Sequence, residues 1–407
     1  MKRLGIAVGL CLVMSQAGAV SAKSLEDVLK EKGVISEEDY QEVMKSAAVT
    51  YKPGTGINLT SADGKFSTSI GGFMQARYTL LNYDDANGAP AQKRSRTFEV
   101  KRAKLIVSGH AYSRDITYNL TTNFSNISGG TTKNGGLLEN AWINYKLRDE
   151  LQVRAGQDKV QFGRQLLTPA TALQFIDQSH VTVAFAPTYD TGVNLHGKIA
   201  KGLLTYSVAG SGGLGQNYAR ATENNAFTAR ITVNPFGVMK NSESDVENSD
   251  KPLLSIGSSF YRNTVTESEA STANTNNSLG FLKKKSGWFA LNNKGSVSAT
   301  SKEEIDFNLF SVDTAFKWRG LSLTGEFMTG EGDMQRNNYK QHALGAYAQA
   351  GYMIIPKTVE LAYRYAYLDP NRNAGNDHWV ENSMAVSWYI KEHNLKLQAD
   401  YTAIHKQ

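Results

Sequence analysis

Arg77, Arg102, Lys104, Lys146, Arg154, Lys198, Arg230, Lys317, Arg364 and Lys396 stand on the polar parity of short runs in which apolar and polar residues alternate. His196 lies beside them, and acids of the same parity are fewer: Asp158, Asp313, Glu326, Glu360 and Asp400. Alternate side chains of a strand share one face, so these groups would line one surface. If that surface bounds a narrow aqueous passage with low-dielectric walls, the excess of cations focuses positive potential and favours anions. Arginine offers an oxyanion a planar pair of donors, lysine a hydrated point charge. A row of both lets an ion exchange water for protein contacts stepwise. Pairing with neighbouring acids is the plainer role for several of them.

Catalytic chemistry has no comparable support. The histidines at 110, 180, 196, 342, 378, 393 and 405 are scattered, without a nucleophile or metal spacing. Loop and surface roles are expected for them, with no enzyme activity and no cofactor. SGGLGQ at 211–216 follows a strand with no helix after it, which makes it a loop and not a nucleotide cradle. The basic residues are dispersed and no base-reading motif accompanies them, so nucleic acid is not an expected partner.

The elements that position the cations are strands. In KTVELAYRYAYLDP, Val359, Leu361, Tyr363, Tyr365 and Tyr367 share one parity, while Glu360 and Arg364 share the other. Fifteen such runs are readable, near 66–83, 97–112, 115–125, 137–147, 151–163, 189–200, 203–211, 225–235, 253–264, 305–318, 321–330, 341–355, 358–368, 379–390 and 395–404. A tyrosine-rich apolar face opposite a polar one, repeated along a whole chain, is met by an all-β fold: a transmembrane antiparallel barrel with lipid outside and water inside. The mean hydropathy of −0.39 does not oppose this, because half of each barrel strand is polar.

The 407 residues show no composition shift that would divide them into globular halves. Residues 1–22 read as an export signal, with Lys2 and Arg3, an apolar run from Leu4 to Met14 and Val20-Ser21-Ala22 as the cleavage site. The single cysteine, Cys11, lies inside it, so a mature chain from Lys23 carries no thiol, and its net charge before histidines is +4. Residues 23–50 are expected as a helical periplasmic prefix, with Ser36-Glu37-Glu38-Asp39 as a helix start. Residues 51–65 are expected as a linker, and 66–407 as the outer-membrane barrel.

Tight connections alternate with long ones, as in barrels whose short turns face the periplasm. The connection at 234–252 breaks that rule, being long and polar on the short side, and the longest opposite loop runs from about 267 to 304. An odd strand count leaves the first and last strands pointing the same way, whereas bacterial barrels close with even numbers. About sixteen strands are therefore expected. Either a short run such as Gly56 to Thr60 supplies the sixteenth, or the barrel lacks its last strand.

Several segments resemble the phosphate-selective porin O/P family. TFEVKRAKLIVSGHAYS, LENAWINYKL and LQVRAGQDKVQFGRQ match its early strands, FIDQSHVTVAFAPTYDTGVNLHG its third loop and return strand, and KGVISEEDY its helical prefix. The resemblance implies a homotrimeric, sixteen-stranded channel constricted by an infolded third loop. It singles out Arg102, Lys104, Arg154, Lys159 and Arg164 as anion-path residues, because these lie in the matching motifs. One departure bears on selectivity: the segment from Gln165 to Asp190 contains no lysine or arginine.

The expected function is passive diffusion of small anions, phosphate or polyphosphate among them, across a Gram-negative outer membrane. The expected partners are inorganic phosphate or other small anions, outer-membrane lipid and further copies of the chain. A general non-selective porin, a barrel adhesin or binding protein that uses its long loops, and a soluble β-sandwich remain open on the sequence.

Overall fold

In a computed structural model the alternating runs form one antiparallel sheet rolled into a barrel. The structure describes residues 10–14, 29–36, 38–39, 49–52, 54–83, 93–128, 131–132, 136–220, 222–270, 279–282, 287–289, 303–334 and 339–407. All fifteen expected strands are present, from Ser67–Tyr83 to Leu395–Lys406, and each pairs with the next. Along Val359–Asp369, Leu361, Tyr363 and Tyr365 are 43–49% exposed on the outer face, while Glu360 and Arg364 are 1–2% exposed inside. Among the described residues no helix is long and apolar enough to cross a membrane. The outer aromatic and aliphatic band belongs to strands.

The tight turns gather at one end of the barrel. Tyr112, Lys201, Arg319, Lys357 and Glu392 take positive φ there, as two-residue turns must when they match the twist of the strands they join. At 319–320 the pair is Arg319 (φ 47°) and Gly320 (φ 82°).

Closure differs from the expected count of about sixteen strands. The first and last long strands run the same way, so an antiparallel seam needs one more strand between them. Leu10–Met14, inside the segment read as an export signal, takes that place: Cys11 pairs with Gln398 on one side and with Arg77 on the other. The rest of the first strand's edge is covered by Gly56–Thr60, which pairs with Ser67 to Ile70 and forms a hairpin with Val49–Lys52. The sheet thus has eighteen strands, three of them short. Part of the expected linker, and the end of the expected helical prefix, are strand. Within the prefix, residues 29–31 and 38–39 are helical. The Asp39 N–H donates to the Ser36 hydroxyl at 3.0 Å and the Ser36 N–H donates to the Asp39 carboxylate at 3.1 Å, a reciprocal cap.

Three connections fold into the barrel. Residues 160–188 turn inward after Leu151–Lys159 and carry the short helix His180–Phe185, with Phe162, Val181 and Phe185 fully buried. The exceptional connection at 234–252 enters from the tight-turn end and buries Glu243, Ser244, Asp245 and Val246. From the opposite end, Phe281, Trp288 and Phe289 pack with Phe162, Tyr261 and Phe307 in an aromatic cluster. An apolar core inside a channel barrel requires that part of the lumen be filled.

Candidate functional site

The filled part lies against the far wall, from Ala226–Val233 to Leu395–Lys406, and the cations there hold the infolded segments. Arg364 donates to Glu381 at 2.6 Å and to the Asp177 carbonyl at 3.1 Å, with its guanidinium 4.3 Å from the centre of the Phe175 ring. Glu381 also receives the backbone N–H of His180 at 3.0 Å and faces its Nδ1 at 2.7 Å. Lys396 donates to the Leu173 carbonyl at 2.7 Å. Lys317 donates to the Ser242 hydroxyl at 2.6 Å and the Ser244 carbonyl at 2.9 Å. Arg230 is held in a two-pronged pair with Asp313 at 2.7 and 3.0 Å.

The acids of this wall do the same work. Glu326 accepts the backbone N–H of Gln165, Glu360 the side-chain amide of Gln174, and Asp400 the backbone N–H of Ile176. Glu243, on the 234–252 connection, joins the two infolded segments by accepting from Gln165 and from the Gln174 N–H. The wall also makes room by omitting side chains. A Cβ on Gly345 would stand 2.7 Å from Val181 Cγ1 of the buried helix.

Along the near wall, from Ser67–Tyr83 to Tyr189–Ile199, cations meet the infolded segment at a few points. Arg77 bonds Glu99 at 2.8 Å and also reaches the Asp177 carboxylate on the infolded segment. Lys101 Nζ lies 3.7 Å from the other Asp177 oxygen. Arg102 donates to Gln75 at 2.8 Å. Lys104 pairs with Glu139, which also accepts from Asn123 at 2.9 Å and from the Tyr189 hydroxyl at 3.3 Å. Lys159 donates to the carbonyls of Leu166 and Thr168 at 2.7 and 3.2 Å, fixing the start of the inward turn.

Arg154 pairs with Asp158 and lies 4.2 Å over the Trp142 ring. Lys146 sits at the tight-turn rim, 3.6 Å from both Asp115 and Asp149, and Lys198 is exposed. Arg164 is 5% exposed behind the inward turn, donating to Ser255 at 3.1 Å and toward Met239 sulfur at 3.3 Å.

The constriction therefore gathers Arg77, Lys101, Arg102, Lys104 and Lys159 against Glu99, Glu139 and Asp177. Asp177 keeps a half-exposed carboxylate. Enclosure raises its pKa, but Lys101, Arg77 and Arg102 outweigh that and hold it at about 2. Parity alone misses Lys101 and Glu99. The pairing of Ser67–Tyr83 with Lys93–Ala111 slips between Gln75 and Ala76, where Arg102 and Val100 are the partners and Lys101 has none. Such a bulge turns adjacent residues to one side, so Lys101 and Arg102 both reach the lumen. The slip left no mark in the sequence beyond two adjacent basic residues. Asp177 escapes strand parity because it sits on a loop.

A membrane-type barrel with a segment folded into its lumen and charged residues facing that segment is the architecture of a porin. The family model described as phosphate-selective porin O and P matches residues 69–407, and the chain belongs to that family. It is an outer-membrane channel protein and not an enzyme. Among solved structures, the loop-deletion mutant OmpTdeltaL8 of OmpT from Vibrio cholerae is 9% identical, covers 84% of this chain and 99% of its own, and has a TM-score of 0.50. The channel DcaP of Acinetobacter baumannii is 13% identical over 86% of this chain and 99% of its own, with a TM-score of 0.49. An anion-selective porin from Comamonas acidovorans is 9% identical over 84% and 100%, with a TM-score of 0.45. No curated protein sequence matches.

Proposed function

We propose that this porin passes small anions, phosphate and short polyphosphates among them, along the near wall of its lumen. The observation that supports this reading is the charge balance where the near wall meets the infolded segment, with Arg77, Lys101, Arg102 and Lys104 against Glu99, Glu139 and Asp177. An aqueous path with low-dielectric walls focuses that excess. Arg77, Lys101 and Arg102 are the residues expected to meet the ion first. Lys317, Arg364 and Lys396 act instead by holding the segments that narrow the path, and Arg230 ties neighbouring wall strands through Ser259 and Asp313. Residues 1–22 act as the export signal in this reading, and their removal frees the seam edges of Ser67–Tyr83 and Leu395–Lys406 for another strand. The working unit is a homotrimer.

Planar-bilayer recordings in a potassium chloride gradient test it. The protein should show a reversal potential displaced toward the chloride equilibrium value, and Lys101→Glu with Arg102→Glu should move it toward the potassium value. A wild-type reversal potential at zero overturns the reading.

A further inference from the structure

The lipid-facing side of the first hairpin carries two cations that lie outside the lumen. Phe66 and Tyr112 pair at its tight-turn end with ring centres 5.0 Å apart, and Tyr78 and Phe98 pair toward its long-loop end at 4.4 Å. Between the two pairs Ile70, Met74, Val100 and Leu105 are 39–48% exposed on the outer face. From Phe66 to Tyr78 the chain advances 12 residues, which at ~3.3 Å each and a tilt of ~40° rises ~30 Å, the thickness of a bilayer's hydrocarbon layer. The aromatic pairs therefore mark its two boundaries, where barrels carry aromatic girdles.

Arg96 and Arg94 continue the face of Phe98, opposite Leu80 and Asn82. They stand ~5 and ~10 Å beyond the upper boundary, at the level of lipid headgroups. Above Lys104 the strand has left its other neighbour, whose pairing ends at Asn123, and residues 94–100 are all exposed. Among the described residues neither arginine forms an ion pair, whereas Lys340, at the same end of the far wall, meets Asp333 at 2.8 Å. The step from aromatic pair to arginine recurs across the barrel: Phe227 and Phe260 pair at 6.5 Å, and Arg262, opposite Phe227, is exposed. We propose that Arg94 and Arg96 bind the phosphate-bearing headgroup of an outer-leaflet lipid, whose acyl chains lie against Phe98 and Tyr78. A guanidinium gives a phosphate two parallel hydrogen bonds and keeps its charge. Two of them ~7 Å apart on one face grip one headgroup from two sides. The site faces lipid, so it is independent of the channel's ion selectivity.

The test is binding of bisphosphorylated lipid A to the detergent-solubilised porin, read by native mass spectrometry, against lipid A stripped of its phosphates. One basic residue beside an anionic headgroup contributes about fivefold in affinity. Arg94→Gln or Arg96→Gln should therefore weaken binding about fivefold and the double variant about 30-fold, while Lys146→Gln, on the tight-turn rim, should bind as wild type does. The stripped lipid should bind the wild type as weakly as lipid A binds the double variant. Equal affinity of the wild type for the two lipids overturns the proposal without any variant, and unchanged affinity in the double variant overturns it as well. Displacement of bound lipid by millimolar inorganic phosphate would assign the arginines to a free anion, and a changed number of copies per assembly in the double variant would assign the face to a contact between copies; either result overturns the lipid site.

Discussion

The near and far walls of this barrel carry the same kinds of side chain on the same parity and use them in opposite ways. On the far wall Arg364, Lys317 and Lys396 are 2%, 5% and 1% exposed and reach hydroxyls or carbonyls of chain that folds back into the lumen. On the near wall Lys101 keeps 31% of its side chain exposed and Asp177 52%, and the loop meets the strands through a few charged tips. A cation's part in ion passage is decided by what lies opposite it. Where an infolded segment encloses the cation with carbonyls and hydroxyls, the cation becomes an anchor; where the cation stays partly exposed, it shapes the field.

That contrast can be broken most severely at Arg364. Arg364→Met strips Glu381 of its buried partner, and loss of one member of such a pair costs about 3–5 kcal/mol. The urea midpoint of the barrel in lipid vesicles should fall, and the channels that survive should conduct more as the segment around Asp177 and His180 loosens. Unchanged stability and conductance would mean that the far wall does not anchor that segment. A smaller effect is expected from Gly345→Ala, which pushes on Val181; overpacking costs about 1–3 kcal/mol, and the same urea titration reads it.

On the near wall the expectation reverses. Lys101→Glu with Arg102→Glu should shift the reversal potential while leaving the urea midpoint nearly in place, because both groups reach water. A large loss of stability would erase the distinction between the walls. Acid titration sharpens it further. Asp177 has a pKa of about 2 in the fold against an ordinary 3.8. A carboxylate with a depressed folded pKa stabilises the fold above its ordinary value, and that contribution is lost as pH falls through the folded one. The Arg77–Asp177 contact should persist from neutral pH to about 3 and be lost nearer 2, read as the carbon-13 shift of the Asp177 carboxyl group. The smallest effect is expected from Lys146→Gln, whose exposed pairs at 3.6 Å sit on the rim. Such pairs contribute at most about 1 kcal/mol, and both the urea midpoint and the reversal potential should stay close to wild type.

Strand positions were legible to within a few residues because alternation is a local property: Leu361 must face away from Glu360 whatever the rest of the chain does. The run read as 151–163 stops at Lys159, since its last residues belong to the inward turn, where tertiary contacts override the alternating pattern. Gly56 to Thr60 was readable as a strand candidate; its place against Ser67 to Ile70 was not. The long polar connection at 234–252 was visible as an exception without a reason. Its reason is Glu243, which joins two infolded segments to each other.

By itself the sequence determined the all-β class, the fifteen long strands and the face most strand side chains take, because parity follows from backbone geometry over two residues. The tertiary structure alone decided which inward cations are anchors and which border the path, that Lys101 joins Arg102 through a bulge, and that Asp177 is carried to Arg77 across the lumen. Those outcomes depend on pairing register and on contacts between residues as far apart as Leu173 and Lys396, and no local pattern encodes them.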